Sequence, residues 1–186
     1  NQYELNKLGR SHTLSDTEKS IYNLREAGIH NISLDIMAAT PNQTEADLLK
    51  SLNFCTDNFI PHLSVYLLKI EESTKFFKIR DSLSLPDEDT QAKIYLLASH
   101  FLTSHGYKHY EISNFCKNDM ESKHNLKYWN CDEYLGIGPS AHSFMNGKRF
   151  FYKNSLSEFI ENPFQISDGW NFCIFYFIPL IYMSVL

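Results

Sequence analysis

The four cysteines of this 186-residue chain, Cys55, Cys116, Cys131 and Cys173, include no CxxC pair and no dense disulfide spacing. No iron–sulfur cluster can therefore be built from a local cysteine motif, and the scattered thiols fit a reducing cytoplasm. Lys and Arg number 17 against 22 Asp and Glu, and no basic block forms a stripe. The net charge of −5 argues against nucleic acid as a partner. No basic-then-apolar signal segment opens the chain. It starts at Asn1 rather than Met, and the start is expected to be the cut end of something longer. There is no internal repeat and no low-complexity segment.

What is present suffices for one domain, since 43% of residues are hydrophobic and 15% aromatic. Apolar character is uneven, however. Residues 171–186, NFCIFYFIPLIYMSVL, carry no charge and contain Pro179. That run is short of the ~20 residues of a membrane helix. A tail anchor, a buried apolar element and a non-native end all remain open for it, and the non-native end is favoured.

Helix and strand patterns alternate along the rest of the chain. Ser15 and Glu18 have the spacing of a capping box, with Ile21, Leu24 and Ala27 at helical intervals and Gly28 as the stop. Residues 31–37 alternate as a strand, Ile32, Leu34 and Ile36 on one face and Ser33 and Asp35 on the other. A helix is predicted over 44–59, a strand over 62–68, and a helix from Pro86 to a stop at Gly106. Short strands are expected around Tyr110–Ile112. The class is α/β with parallel strands built from βαβ units. Two strands cannot close a barrel, so barrel material here would be the second half of one. Asp35 is placed near the end of its strand, where parallel α/β folds meet ligands; a carboxylate capping the next loop is the competing reading.

Residues 106–144 concentrate polar and aromatic groups. His124-Asn125-Leu126-Lys127-Tyr128-Trp129 is followed by Leu135-Gly136-Ile137-Gly138-Pro139-Ser140 and by Ala141-His142-Ser143-Phe144. Imidazole, amide, phenol and indole beside glycines suit a flat apolar ligand with a metal or polar edge. A buried aromatic corner with locally satisfied polar edges explains the same residues. His142 could line a pocket or fix the glycine turn. His12, His62, His100, His105 and His109 share no spacing and read as ordinary.

Seven short segments, in order, resemble a known family. They are Leu8-Gly9-Arg10-Ser11-His12, Ile32-Ser33-Leu34-Asp35, Leu63-Ser64-Val65-Tyr66, Leu85-Pro86-Asp87-Glu88-Asp89, Tyr110-Glu111-Ile112-Ser113-Asn114-Phe115, His124 to Trp129, and Tyr134 to Ser143. Residues 8 to about 163 are similar to the middle and latter part of the HemW haem chaperone group. That group lies within the radical S-adenosylmethionine family, which includes oxygen-independent coproporphyrinogen III oxidase.

The resemblance implies the second half of a radical-type partial (β/α) barrel over 1–106, a small α+β extension over 107–165, and an apolar end over 166–186. It implies S-adenosylmethionine, a [4Fe–4S] cluster and haem as cofactors, haem or porphyrin as ligand, and a haem-accepting protein as partner. The location implied is cytoplasmic, with no membrane contact except through the tail. The cluster-binding CxxxCxxC-like loop and the Gly-Gly segment of the family are absent from this sequence, and the four cysteines match no cluster position. Arg10 falls on the family's cofactor-binding Arg and Asp35 on its strand-end Asp. His142 falls in a segment that lines the cofactor pocket. His124, Asn125 and Tyr128 fall on haem-binding positions. Read alone, Arg10 is a solvated charge at a helix boundary. One departure stands out: the family's Tyr-Gly-Leu-Pro-Gly-Gln-Thr loop is replaced by Ala38-Ala39-Thr40-Pro41-Asn42-Gln43-Thr44, which predicts a differently shaped loop. The oxidase, which decarboxylates coproporphyrinogen III to protoporphyrinogen IX, is the alternative to the chaperone.

Overall fold

The computed structural model describes residues 1–72, 74–163 and 165–168. The chain divides into two compact units, Asn1–Glu121 and the part from Ser122 onward. The apolar tail, with Cys173, lies outside the described residues.

The first unit opens with α1 (Gln2–Lys7), whose side-chain cap is Asn1. Helix α2 (Leu14–Glu26) is capped by Thr13, with Asp16 closing the box, two residues ahead of the predicted Ser15–Glu18 pair. Both pairs have the same spacing. The earlier one wins because Asp16 accepts from both the Thr13 backbone N–H (2.8 Å) and its hydroxyl (2.7 Å). Gly28 then ends the helix at φ 79°.

Strand β1 (Ser33–Ala38) pairs in parallel with β2 (His62–Leu67), Ser33 opposite His62 and Asp35 opposite Ser64. Between them runs α3 (Glu45–Asp57), capped by a Thr44–Asp47 box. After β2 come a short α4 (Lys75–Ile79) and the long α5 (Glu88–Ser104), which starts at the Asp87 cap. Sequence and structure part at residues 108–116. Tyr110–Ile112 forms the turn of a hairpin whose strands are β3 (Lys108–His109) and β4 (Asn114–Cys116). The sheet order is β1-β2-β4-β3, so a parallel pair is extended by antiparallel strands and β1 is a sheet edge among the described residues.

Alternation divides this sheet chemically. Ile36, Ala38, Leu63, Val65 and Phe115 join Leu48, Leu52, Ile94, Ala98 and Leu102 of the helices in one buried core. Ser33, Asp35, His62, Ser64 and Asn114 occupy the other face, by the pairing register. The apolar face is thus spent on the helices, and the polar face is left for chemistry.

The second unit contains α6 (Lys123–Trp129), a three-stranded antiparallel sheet of β5 (His142–Met145), β6 (Lys148–Phe151) and β7 (Ser167–Asp168), and α7 (Leu156–Glu161). The glycine turn folds back on β5. Tyr134 and Phe144 exchange backbone hydrogen bonds of 2.9 Å in both directions. Gly136 has no room for a side chain, because a Cβ there would stand 2.2 Å from the His142 carbonyl oxygen. Gly138, at φ 117°, adopts backbone that only glycine takes readily.

Candidate functional site

Helix α1 ends in a left-handed Gly9 (φ 67°), and the Arg10 N–H returns to the Leu5 carbonyl at 2.9 Å. This glycine C-cap ties Arg10 rigidly to the helix body. Arg10 is half-buried, and its guanidinium makes no ion pair or side-chain hydrogen bond among the described residues.

The loop that follows β1 sits against α1. Glu4, only 5% exposed, accepts from the hydroxyl of fully buried Thr40 and, at 3.3 Å, from the Gln43 amide. Lys7 pairs with Glu4 at 3.1 Å and donates to the Pro41 carbonyl. Gln43 also accepts from the Ala39 N–H at 2.7 Å and donates to the Met37 carbonyl at 3.3 Å. The two positions where the family pattern has glycine, Ala39 and Asn42, are both left-handed here, at φ 58° and 54°. Asn tolerates that region, whereas Ala39 is strained by roughly 1–2 kcal/mol. The side-chain network over the loop holds this conformation without the glycines.

Asp35 is exposed on the polar face, third of the six residues of β1. The expectation that it stands at the strand end is corrected: Ile36, Met37 and Ala38 continue the parallel ladder with β2. Beside it, His62 bridges two hydroxyls, Ser33 Oγ to Nδ1 and Tyr110 OH to Nε2, each at 2.7 Å. Burial holds the His62 pKa below its ordinary value, opposed by the Asp35 carboxylate. His62, read from the sequence as ordinary, is therefore the structural centre of the polar face. Its partners lie 29 and 48 residues away, which no local motif reveals. On the same face Asn114 is fully buried, and neither amide atom meets a hydrogen-bond partner of normal geometry among the described residues. The neighbouring Glu111 carboxyl is held above its ordinary pKa by burial.

In the second unit, α6 carries His124, Asn125, Tyr128 and Trp129. His124 and Tyr128, one helical turn apart, share a 2.9 Å hydrogen bond between Nε2 and the phenol, and their rings meet edge-on at 5.0 Å. Tyr128 meets Tyr134 in the same manner at 4.6 Å. The imidazole of His124 is exposed rather than sealed in a core. Asn125 is half-buried, and its backbone N–H is taken by the Ser122 cap at 3.4 Å. His142 opens β5, exposed, with its ring stacked on Phe151 at 5.3 Å. Burial, then the nearby Arg149 charge, lowers its pKa. Arg10 and Asp35 thus belong to the first unit, and His124, Asn125, Tyr128 and His142 to the second.

The three implied cofactors fare differently against these residues. An unpaired guanidinium held on a rigid turn suits the carboxylate of S-adenosylmethionine, and an exposed carboxylate suits its hydroxyls or amine. An accessible imidazole oriented by a phenol and flanked by rings suits haem iron and a macrocycle. A [4Fe–4S] cluster finds no seat: no group of three His, Cys, Asp or Glu among the described residues is placed to hold a metal. Cys55 and Cys116 are buried, and desolvation raises the Cys55 thiol to about 12.

No family model matches the chain. Curated proteins do. The chain is 38% identical over 159 residues to the heme chaperone HemW of Bacillus subtilis, covering 84% of this chain and 42% of that protein. It is 39% identical over 152 residues to heme chaperone HemW of Lactococcus lactis, covering 81% and 40%. The mouse mitochondrial radical S-adenosyl methionine domain-containing protein 1 is 37% identical over 141 residues, with 75% and 32% covered. The chain thus spans about two fifths of the length of the HemW proteins it matches. Among solved structures, the radical SAM enzyme coproporphyrinogen III oxidase (HemN) of Escherichia coli superposes with a TM-score of 0.70. That match has 17% identity and covers 87% of this chain and 40% of the other, a likeness of fold alone. The chain is HemW-like, and it carries part of a radical S-adenosylmethionine-type fold.

Proposed function

We propose that this chain is the haem-binding latter portion of a HemW-type haem chaperone, which binds haem and passes it to an acceptor protein in the cytoplasm. The observation that carries the reading is the exposed His124–Tyr128 pair on α6, in a chain 38% identical to a heme chaperone. His124 holds the haem iron in this reading. Ligation through Nδ1 keeps the Tyr128 bond that orients the ring, whereas ligation through Nε2 replaces it. Asn125 supplies an amide at the edge, and Tyr128 a ring face for the macrocycle. Arg10 and Asp35 hold the carboxylate and the hydroxyls or amine of S-adenosylmethionine. Residues 1–106 form the barrel portion, 107–165 the extension and 166–186 an apolar end. The cluster belongs to parts of the relatives that this chain does not span. When bound, haem is cargo, and the chain's own work is to ligate, orient and release it.

Titration with haemin, followed by the Soret band, tests this. Wild type is expected to give a saturable red shift, and His124→Ala to lose it or weaken binding at least tenfold, about 1.4 kcal/mol. Tyr128→Phe, which keeps the ring, is expected to show a smaller change. Identical titrations of wild type and His124→Ala refute the assignment. The oxidase reading draws on the fold likeness to coproporphyrinogen III oxidase. Conversion of coproporphyrinogen III to protoporphyrinogen IX under anaerobic conditions, by a longer protein that includes this chain, would favour it instead.

A further inference from the structure

Glu4 belongs to none of the sequence segments that carry the resemblance, yet its buried carboxylate engages Thr40, Gln43 and Lys7. It sits 5% exposed in α1 and reaches the loop that ends β1, 36 and 39 residues further along, through Thr40 and Gln43. Gln43 in turn braces the loop backbone at both ends, at the Met37 carbonyl and the Ala39 N–H. On the other side, α1 passes through the Gly9 turn straight into Arg10, whose N–H is bonded to Leu5, the residue next to Glu4. The path from the end of β1 to the Arg10 backbone thus runs by hydrogen bonds to Glu4, along the helix backbone to Leu5, and by one more hydrogen bond to Arg10.

Charge points the same way. Lys7, the other cation of this turn, is neutralised by Glu4 at 3.1 Å and further occupied by the Pro41 carbonyl. Arg10 keeps a full positive charge that no side chain among the described residues answers. A two-pronged guanidinium grip depends on orientation as well as charge, so whatever fixes the helix fixes the grip.

We infer that Glu4 is a positioning residue for a carboxylate-bearing ligand: it clamps α1 to the loop after β1, and so sets where the Arg10 guanidinium stands. The inference rests on the reading of Arg10 as the grip for the S-adenosylmethionine carboxylate, and the test separates the two. Dissociation constants for S-adenosylmethionine are measured by calorimetry on the whole chain for wild type, Glu4→Gln, Thr40→Val, Arg10→Ala and the Glu4→Gln/Arg10→Ala double variant. Circular dichroism confirms that each is folded. Thr40→Val opens the same joint without a charge change, so the freed Lys7 charge cannot by itself explain a shared effect.

Glu4→Gln and Thr40→Val are each expected to weaken binding about tenfold, and Arg10→Ala roughly thirtyfold or more. The double variant is expected to bind within about twofold of Arg10→Ala alone, because Glu4 acts only through that guanidinium. A merely structural Glu4 gives additive losses instead, and additivity overturns the inference. Unchanged affinity in both Glu4→Gln and Thr40→Val, with Arg10→Ala weakened, also overturns it while the Arg10 reading survives. If wild type shows no binding, or Arg10→Ala binds as wild type does, the Arg10 reading falls and the inference with it.

Discussion

Replacing Tyr110 with Phe removes one hydroxyl from the Ser33–His62–Tyr110 chain and tests whether the polar sheet face is organised as described. The lost bond is 2.7 Å long and ends on an imidazole that is 5% exposed, so its nitrogen is left without a partner. Orphaning a buried polar group costs about 1–3 kcal/mol, and each kcal/mol moves Tm by about 2–4 °C in chains of this size. Urea unfolding at pH 8, where the ring is neutral, is expected to show that loss. The pH axis supplies a second check. Burial lowers the His62 pKa below 6.5, so the folded ring refuses a proton that the unfolded chain accepts. Stability from this group is fully present above about pH 6.5 and is lost as pH falls toward the folded pKa. The slope is at most about 1.4 kcal/mol per pH unit. His62→Gln is expected to flatten that window relative to wild type, leaving the contributions of the other histidines. A Tyr110→Phe cost below about 0.5 kcal/mol, together with parallel pH profiles for wild type and His62→Gln, would refute the description.

Glu111 is expected to behave with the opposite sign. Burial raises its pKa above 4.5, so its contribution is present below that pH and lost as pH rises through the folded value. Glu111→Gln should gain stability over wild type between acid and neutral pH, read by unfolding at pH 4 and pH 7, and an unchanged difference across that range would contradict the assignment. Thr44→Ala removes the α3 cap, in which the Thr44 hydroxyl accepts from the Asp47 N–H at 3.2 Å, and should cost about 1 kcal/mol in urea unfolding. Leu52→Ala, at a fully buried site of the same helix, should cost about 2–5 kcal/mol; equal losses for the two would contradict the burial pattern.

Periodicity carried the sheet and its helices, because the two-residue alternation of Ile32 to Ile36 and the long spacing of Ile94 to Leu102 are imposed by one shared core. It misplaced the hairpin. Tyr110–Ile112 looks extended by composition, but Glu111 Oε1 accepts from the Ser113 N–H two residues on (3.0 Å) and makes a turn there. Helix α6 left no periodic trace, since seven residues with four polar side chains show no apolar stripe. The local cluster at 124–129 and the family resemblance supplied His124 and Tyr128 as candidates, and the resemblance alone supplied Arg10. They could not supply Glu4 or His62, whose meaning lies in partners brought together only by the fold. In the loop after β1, where the sequence lacks two glycines of the family pattern, Ala39 and Asn42 adopt left-handed dihedrals braced by Gln43 and Glu4.

Among the described residues strand β1 has a neighbour on one side only, which leaves a row of amide and carbonyl groups along its far flank. Such a seam invites a second molecule to zip onto it. Asp35 lies midway along the seam, and two copies aligned there in antiparallel fashion would bring their carboxylates face to face. The same acidic group, proposed above for cofactor contact, would oppose that pairing, and neutralising it by Asp35→Asn should make the protein more prone to aggregate.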